Sequence, residues 1–128
     1  MAIRVSETMI FVRDMDSAIR FYTQQVGFKL AQRFDWGFAT IDVDGNHRLG
    51  LMQEGAWERE YPDDDGLPRP RLSVQTDDFD ADVQRMKNAG IGFGVIRGEP
   101  GKHRATNFFD ADGNAIFLWT DPDSRVGS

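Results

Sequence analysis

The residue types that most often carry out chemistry in proteins are sparse in this chain. It has no cysteine, which excludes disulfides, thiolate metal sites and cysteine nucleophiles. Its two histidines, His47 and His103, do not stand at spacings from serine and aspartate that would indicate a catalytic triad. We expect both on the surface, with His47 able to reach the mouth of a cleft. No lysine follows a glycine-rich loop, so a nucleotide-phosphate site has no support.

A second group with binding potential is the aromatic residues, which make up 12% of the chain. Trp57 and Tyr61 stand out because they fall in a stretch without periodicity, where packing alone explains an aromatic side chain less well. About half of all the aromatic candidates are expected to serve packing only. The candidates to line a binding cleft are Phe34, Trp36, Phe38, Trp57, Tyr61, Phe93, Phe117 and Trp119.

The first half of the chain predicts the element order βαβββ. Residues 5–12 alternate between two faces as a strand does, and Asp14 stands where a helix N-cap is expected. Gly27 can end that helix. The positions spaced for one helix face are Met15, Ala18, Ile19, Tyr22 and Val26. Three further strands are predicted at residues 28–35, 36–44 and 48–52, the last two joined by a hairpin at Asp44-Gly45-Asn46.

The second half repeats this order after an irregular stretch at residues 54–69. Its predicted elements are a strand at 71–76, a helix from Asp78 to Gly90, a weak strand at 91–97 and strands at 103–110 and 115–120. We therefore predict a single α+β domain over residues 1–128. It would comprise a βαβββ module at residues 3–53, a connector at 54–69, a second module at 70–120 and a tail at 121–128.

The two modules can be aligned in sequence by a nearly constant shift in residue number. Asp78 follows Asp14 by 64 residues, and the same shift places Phe79 on Met15. The closing turns match at a shift of 68, with Asp112-Gly113-Asn114 on Asp44-Gly45-Asn46. A small change of shift is what loops of different length produce, so the pattern indicates a duplicated unit.

These features resemble the vicinal oxygen chelate superfamily, which includes glyoxalase I, methylmalonyl-CoA epimerase, extradiol dioxygenases and bleomycin resistance proteins. The resemblance is carried by the duplicated modules, by VRDMDSAIRFYTQQVGFKL at residues 12–30 and by FFDADGNAIFLW at residues 108–119. It implies two βαβββ modules forming a curved mixed sheet with a cleft. It also implies a homodimer, and whether the cleft forms within one chain or across two stays open. The scaffold carries several chemistries and some pure binders, so it does not specify a reaction.

In metalloenzymes of that family, ligands come from the first and last strands of each module. The first-strand positions correspond to Glu7 and Arg71, and the last-strand positions fall near Leu49 or Gly50 and at Phe117 or Leu118. Of these residues, Glu7 alone can bind a cation, and divalent ions need three or four His or carboxylate ligands. The resemblance therefore implies a member whose metal site is lost, with no cofactor.

Arg71 stands where the metalloenzymes of the family have a metal ligand, which suggests that its side chain substitutes for the metal. If the modules face one another as the family implies, the Arg71 guanidinium could pair with the Glu7 carboxylate in a bidentate fork. Arg71 could equally engage an anionic group of the ligand, or both residues could be ordinary surface charges.

Strand alternation nominates the walls of the cleft. Glu7, Met9 and Phe11 share one face, as do Arg71, Ser73 and Gln75, while Ile10, Val12, Leu72 and Val74 face the helices. The predicted ligand-binding residues are Met9, Phe11, Trp36, Phe38, Trp57, Tyr61, Arg71, Ser73, Gln75, Phe117 and Trp119, with Glu7 as the candidate catalytic residue.

Composition limits the partners. A net charge of −6 without a basic stripe makes nucleic acid an unlikely partner. No run approaches the roughly 20 apolar residues of a membrane span, and residues 1–5 lack the apolar core of a signal peptide. We expect a cytoplasmic protein. The leading interpretation is a bleomycin-resistance-like protein that holds an aromatic or apolar, partly cationic, small molecule without altering it. The alternative is a glyoxalase- or epimerase-like lyase or isomerase with Glu7 as general base. A protein-interaction module has no positive signal beyond the connector.

Overall fold

A computed structural model describes residues 3–62 and 68–122. The chain divides into two compact units, each described here by itself. The first unit comprises Glu7–Asp65, and the second comprises Met1–Ser6 together with Gly66–Ser128. Residues 63–67 of the predicted connector and the tail beyond residue 122 lie outside the described residues.

The first unit has the predicted βαβββ order. Its elements are β1 (Ile3–Val12, which enters the unit at Glu7), α1 (Met15–Arg20), a π-helical segment (Phe21–Gln25), β2 (Lys29–Phe34), β3 (Phe38–Asp42), β4 (Arg48–Gln53) and α2 (Ala56–Glu60). The strands hydrogen-bond in the order β2-β3-β4-β1, and β1 runs parallel to β4 while the other pairs are antiparallel. The sheet is therefore mixed, as the α+β prediction requires.

The core of this unit lies between the sheet and α1. Met15, Ala39, Ile41 and Leu51 form a buried cluster. Ile10 and Val12 pack against its edge from β1, which confirms that this face of the first strand meets the helix. The opposite face, with Glu7, Met9 and Phe11, is left for other contacts.

The predicted first helix is interrupted. It is α-helical only to Arg20 and continues as the π-helical segment, where the amide of Val26 donates to the carbonyl of Phe21 at 3.0 Å. The Thr23 hydroxyl donates to the Ile19 carbonyl at 2.7 Å. An extra residue in a turn rotates the following positions around the axis, so the prediction that Val26 faces the core is wrong: it is 44% exposed.

The second unit repeats the plan with one change. Its elements are β5 (Leu72–Thr76), α3 (Phe79–Asn88), β6 (Gly92–Phe93), β7 (Arg97–Gly98), β8 (Arg104–Phe109) and β9 (Ala115–Thr120). The sheet order is β5-β9-β8-β6, with β7 also pairing with β8. Val74, Leu118 and the helix residues Phe79, Val83 and Met86 form its core. Both units thus confirm the predicted duplication of a βαβββ plan.

The weak strand predicted at residues 91–97 is in fact two short strands. Gly98 has φ +87°, and a Cβ there would lie 2.1 Å from the His103 carbonyl oxygen. The chain can approach β8 this closely only with glycine at that position.

The connector predicted as irregular contains a helix. Residues Ala56–Glu60 form α2, which begins after Gly55 in the left-handed conformation (φ 87°). Ala56 and Trp57 are its buried residues. The helix was not anticipated because five residues are too few to show a periodic pattern. Among the described residues, no helix has both the length and the apolar character needed to cross a membrane.

Candidate functional site

Glu7 lies on a buried face of the first unit, next to Gly50. Its side chain is 9% exposed. A Cβ added to Gly50 would lie 2.9 Å from the Glu7 Cγ and 2.9 Å from the Phe38 Cε1. Glycine at position 50 therefore lets the acidic side chain and the aromatic ring approach each other directly over β4.

An aromatic cluster adjoins this position. Phe34, Trp36 and Phe38 (hereafter the aromatic cluster) come from the end of β2, the turn that follows it and the start of β3. The ring centroids lie 5.4 Å apart for Trp36 and Phe38, 5.9 Å for Phe34 and Phe38, and 6.3 Å for Phe34 and Trp36. All three side chains are only half-buried. Aromatic rings that stack on one another yet keep exposed faces can receive a further flat or apolar group.

Thr40 shares this face and was missed by the sequence predictions. It pairs directly with Gly50 across the β3/β4 ladder and stands two residues from Phe38, so its side chain points to the same side of the sheet. Thr40 is 6% exposed, and its Oγ1 atom has no hydrogen-bond partner within residues 3–62 and 68–122. No signal in the sequence distinguishes Thr40 from any other strand threonine. Whether a hydroxyl group has a hydrogen-bond partner depends on how the surrounding side chains pack.

The other predicted residues of the first unit divide between buried and accessible positions. Met9 lies on β1, pairs with Gly50 of β4 and is 3% exposed. Phe11, also on β1, is half-buried. Trp57 is 4% exposed and packs its ring 4.3 Å from that of the half-buried Tyr61. The lack of periodicity around Trp57 predicts a ligand role, but the residue lies on the buried side of the helix α2. A ligand role for these residues stays a prediction.

The second unit brings together Ser73 and Trp119, two of the predicted ligand-binding residues, and adds Ser6. The Trp119 Nε1–H donates to Ser73 Oγ at 3.0 Å and to Ser6 Oγ at 3.1 Å. The Ser6 hydroxyl also lies 2.9 Å from the Ser73 carbonyl oxygen and 2.8 Å from its Oγ. These three residues (hereafter the serine–tryptophan network) fix the indole orientation. Trp119 and Phe117 are half-buried, whereas Ser73 and Gln75 are 1% and 9% exposed.

Arg71 lies just before β5 and is exposed. The predicted strand from residue 71 therefore begins one residue later, because Arg71 takes a bend at this point. Glu7 and Arg71 belong to different units, and their pairing stays a prediction.

Both histidines are exposed, as expected. The His47 Nδ1 lies 2.9 Å from the Asp44 Oδ2 in the hairpin turn. Together with the backbone amides of Asn46 and His47, which donate to Asp44, this contact holds the pKa of Asp44 below its usual value. Leu49 and Leu51, which follow His47 at intervals of two residues, pack with the helix side, so that face is not the face of Glu7.

A surface cleft of about 270 Å³ lies in the second unit beside the start of α3. Asp77, Asp80 and Arg104 are among its lining residues, and none of the predicted site residues is. Arg104 is ion-paired with Asp80 and its guanidinium lies 5.1 Å from the centroid of Phe79. The charges of Arg104 and Asp80 are thus paired with each other.

The residues present do not fit a divalent metal ion. Within residues 3–62 and 68–122, no three His, Cys, Asp or Glu side chains come close enough to hold one. Beside Glu7, the family's last-strand position is Gly50, which has no side chain and whose Cβ space is taken by Glu7 and Phe38. Its counterpart Phe117, which pairs with Ser73, offers no donor atom.

Comparisons with known proteins give the same fold. The sequence profile of the Glyoxalase/Bleomycin resistance protein/Dioxygenase superfamily matches residues 4–118. An uncharacterized protein, YurT, from Bacillus subtilis (strain 168) is 29% identical over 123 residues, which is 88% of this chain and 95% of that protein.

Two solved structures illustrate the similarity of fold. Hypothetical protein BH1468 from Bacillus halodurans C-125 superposes with a TM-score of 0.70 at 13% identity, covering 94% of this chain and 96% of its own. Methylmalonyl-CoA epimerase from Mycobacterium tuberculosis superposes with a TM-score of 0.66 at 24% identity, covering 91% of this chain and 87% of its own. At these identities the similarity shows the fold and leaves the chemistry to the site.

Proposed function

Because the chain belongs to the Glyoxalase/Bleomycin resistance protein/Dioxygenase superfamily, we propose that it binds a small aromatic or apolar molecule and holds it without altering it. The observation that carries this proposal is the aromatic cluster, whose three half-buried rings have their centroids within 6.3 Å of one another beside Glu7.

The chemistry of this face favours binding. Stacking a ligand ring on a fixed aromatic side chain is worth about 0.5–1.5 kcal/mol beyond the area that it buries. Two of the cluster rings, Trp36 and Phe38, are nearly parallel, with 16° between their planes. A flat ligand can therefore extend the stack with no change in the rings' relative orientation, so little ordering entropy is lost.

A panel of aromatic compounds tests the proposal. Binding to the cluster should quench the fluorescence of Trp36, and Trp36→Phe should remove that quenching while binding measured by calorimetry persists. Trp57→Phe is the matched control, because Trp57 is buried on α2 and should contribute little to the response. Recovery of every bound compound unchanged supports a binder, and a panel without any bound compound contradicts it.

A second candidate is a glyoxalase- or epimerase-like enzyme with Glu7 as general base. The observation in its favour is the burial of Glu7 to 9% exposure beside an aromatic wall, since a carboxylate away from bulk water is a better base. An enolate formed by proton abstraction needs a stabilising cation or donor. Arg71 is the candidate that we propose for this role.

Deuterium exchange separates the two candidates. An enzyme of this type should exchange the acidic C–H proton of a bound carbonyl compound in D2O, and Glu7→Gln should slow the exchange by at least about 10²-fold. A binder should leave the proton in place. Unchanged exchange in Glu7→Gln would remove Glu7 from the mechanism.

We also propose that the protein works as a homodimer in the cytoplasm with a small-molecule ligand, without metal. Light scattering on the purified protein tests the dimer. Elemental analysis of protein taken directly from cells tests the metal, and a stoichiometric bound ion lost together with activity on chelation would favour the enzyme.

A further inference from the structure

We propose that Asp112, which precedes Gly113 in the turn between β8 and β9, is a site of spontaneous covalent modification to isoaspartate, whereas Asp44 in the equivalent turn of the first unit is protected. The two turns share the sequence Asp-Gly-Asn. The folded turns, and not this shared sequence, therefore have to distinguish the two aspartates. The inference concerns a modification of the chain and is independent of the proposed ligand.

The reaction needs only an aspartate side chain and the next backbone amide. The glycine nitrogen attacks the side-chain carboxyl carbon, a C–N bond forms, and the amide proton and a carboxyl oxygen leave in a molecule of water. Water then opens the resulting succinimide ring. Where it breaks the bond between the glycine nitrogen and the original main-chain carbonyl, the chain continues through the aspartate side chain. One water leaves and one enters, so no other reactant is required, and glycine allows the close approach because it has no Cβ.

The first turn holds its aspartate side chain in place. The Asp44 Oδ1 accepts hydrogen bonds from the backbone amides of Asn46 at 2.9 Å and His47 at 2.8 Å. The His47 Nδ1 also lies 2.9 Å from the Asp44 Oδ2. These contacts must break before the carboxyl carbon can turn towards the Gly45 nitrogen. They also hold the pKa of Asp44 below its usual value, with the Asn46 amide as the largest cause, which reduces the protonated form that loses water most readily.

The second turn leaves its aspartate side chain without restraint. Here the Asp110 carboxylate takes the amides of the turn, and its Oδ1 accepts from the Asp112 amide at 2.9 Å and from the Asn114 amide at 2.8 Å. Asp112 is exposed, and its carboxylate has no hydrogen bond or ion pair within residues 3–62 and 68–122. Its carboxyl carbon can therefore turn towards the Gly113 nitrogen without breaking a contact.

The two glycine nitrogens differ in the same direction. Gly45 and Gly113 have nearly equal φ angles of 86° and 85°, so this angle does not separate the turns. The Gly45 amide donates to the Asp42 carboxylate at 2.7 Å, whereas the Gly113 amide donates to the neutral Asp110 carbonyl at 3.1 Å. A hydrogen bond to a charged acceptor is the stronger of the two kinds. Ring closure removes this amide proton, so the second turn opposes the reaction less.

Ageing of the purified protein tests the inference. The protein is incubated at neutral pH in water labelled with heavy oxygen, which enters the aspartate when the ring opens. Trypsin then separates the two turns into peptides at residues 34–48 and 105–125, and fragmentation in a mass spectrometer locates the isomerised residue. Isoaspartate should form about tenfold or more faster at Asp112 than at Asp44, because bonds to a charged acceptor must first break at Asp44. Rates within about threefold of each other would overturn the inference.

Unfolding provides the matched control. In concentrated guanidinium chloride neither turn is formed, so Asp44 and Asp112 should isomerise at similar rates. If Asp112 leads Asp44 in the unfolded chain by as much as in the folded protein, the neighbouring residues and not the folded turns set the preference. The inference is then overturned.

Two conservative variants locate the modification. Asp112→Glu keeps the charge, but a glutamate would have to close a larger ring, which forms much less readily. This variant should remove the isomerised residue from the peptide at 105–125, and Asp44→Glu should leave the rate at Asp112 unchanged. If the peptide at 105–125 of Asp112→Glu isomerises as fast as that of the unaltered protein, the site lies elsewhere and the assignment of Asp112 is wrong.

The modification should weaken the hairpin of β8 and β9. Isoaspartate lengthens the backbone between Asp112 and Gly113, so the amides of Asp112 and Asn114 cannot both remain on the Asp110 Oδ1. Loss of one of these bonds should lower the melting temperature of the isomerised protein by about 3 °C. Asp112→Glu, aged in parallel, should keep its melting temperature. An isomerised protein that melts with the unmodified one would overturn this effect on the hairpin.

Discussion

Gly50 determines how close Glu7 and Phe38, two candidate site residues of the first unit, can come to each other. A methyl group at this position would lie 2.9 Å from both the Glu7 Cγ and the Phe38 ring, closer than Cβ atoms approach their neighbours. The backbone conformation is not the constraint, because Gly50 is not at positive φ. The requirement for glycine here is steric.

We therefore expect Gly50→Ala to destabilise the protein by about 1–3 kcal/mol, as overpacking does, and to weaken binding of aromatic probes by displacing the Phe38 ring. Chemical denaturation and calorimetry measure the two effects. Gly92→Ala is the control, because Gly92 is also a strand glycine without positive φ and has open space where its Cβ would lie. If the two variants are equally stable, the close contact at Gly50 does not constrain the site.

The serine–tryptophan network allows a test by a double-mutant cycle. Ser73→Ala removes one acceptor of the Trp119 indole N–H, which should cost about 1 kcal/mol of unfolding free energy and shift the indole N–H resonance. In the background of Trp119→Phe, where no N–H is left to satisfy, the same change should cost at least about 0.5 kcal/mol less. Strict additivity would show that Ser73 acts independently of Trp119.

For single residues, prediction from the sequence succeeded where strand alternation alone decides which face of the sheet a side chain takes. The faces of Glu7, Ile10 and Val12 followed from a period of two. The free hydroxyl of Thr40 and the role of Ser6 could not be foreseen. They depend on which atoms of neighbouring strands come within hydrogen-bond distance, and one-dimensional patterns do not contain strand register.

Among the elements, the junction of β5 and α3 depends on one buried pair. The Thr76 hydroxyl donates to the Asp82 Oδ2 at 2.5 Å and accepts from the Asp78 amide at 3.0 Å. Thr76 and Asp82 are 1% and 5% exposed. Thr76 thus satisfies a buried carboxyl group and an amide at the start of the helix.

Thr76→Val should lower the free energy of unfolding by about 1–3 kcal/mol, because it removes the acceptor of the Asp78 amide and the donor to the Asp82 Oδ2, while the Arg85 guanidinium stays 3.8 Å from the Asp82 Oδ1. Thr40→Val, the same chemical change at the orphaned hydroxyl, is expected to have the opposite sign. Thermal melts of the two variants side by side measure the contrast. A stabilised Thr76→Val would contradict the role assigned to this hydroxyl.

The elements also show where prediction from the sequence fails. The start of α1 and the core face of α3 followed from capping residues and apolar spacing. The π-helical segment could not be inferred, since Met15, Ile19 and Tyr22 fit an ordinary helix as well. The five-residue α2 is held by the burial of Ala56 and Trp57, and such tertiary support is invisible in a short window.

For the whole molecule, acid is expected to reduce stability through three turn and cap aspartates. The Asn114 side chain and amide hold the pKa of Asp110 below its ordinary value of 3.8. The Asn46 amide and His47 do the same for Asp44, and the Ser17 hydroxyl does so for Asp14. A carboxyl group with a lowered folded pKa stabilises the protein above its unfolded pKa, and this contribution is lost as pH falls through the folded pKa.

Stability should therefore fall as pH drops below 3.8. Asn114→Ala should raise the pKa of Asp110 towards its ordinary value and reduce that part of the acid sensitivity. Carbon-detected NMR of the aspartate carboxyl groups and melts over the same pH range measure both effects. The pKa values of Asp44 and Asp14 should not move, and a shift in all three would indicate a global change.

At the scale of the whole chain, the sequence was enough to predict the fold class because the duplication gives every element a second, independent occurrence. The capping residue Asp14 and the turn at Asp44-Gly45-Asn46 both recur in the second half, so a chance match is improbable. The ligand could not be predicted in this way, because the same scaffold holds sites of many different chemistries.

The contact between Gly50 and Phe38 also limits the order in which this protein could change over evolution. A histidine or glutamate at position 50, the first step towards a metal-binding relative, would have to enter space already occupied by the Phe38 ring. The ring must be replaced by a smaller side chain first, since the reverse order passes through an overpacked and poorly stable intermediate. A metal ligand at position 50 would thus require a prior mutation at Phe38, and libraries that vary position 50 alone should return no metal-binding variants.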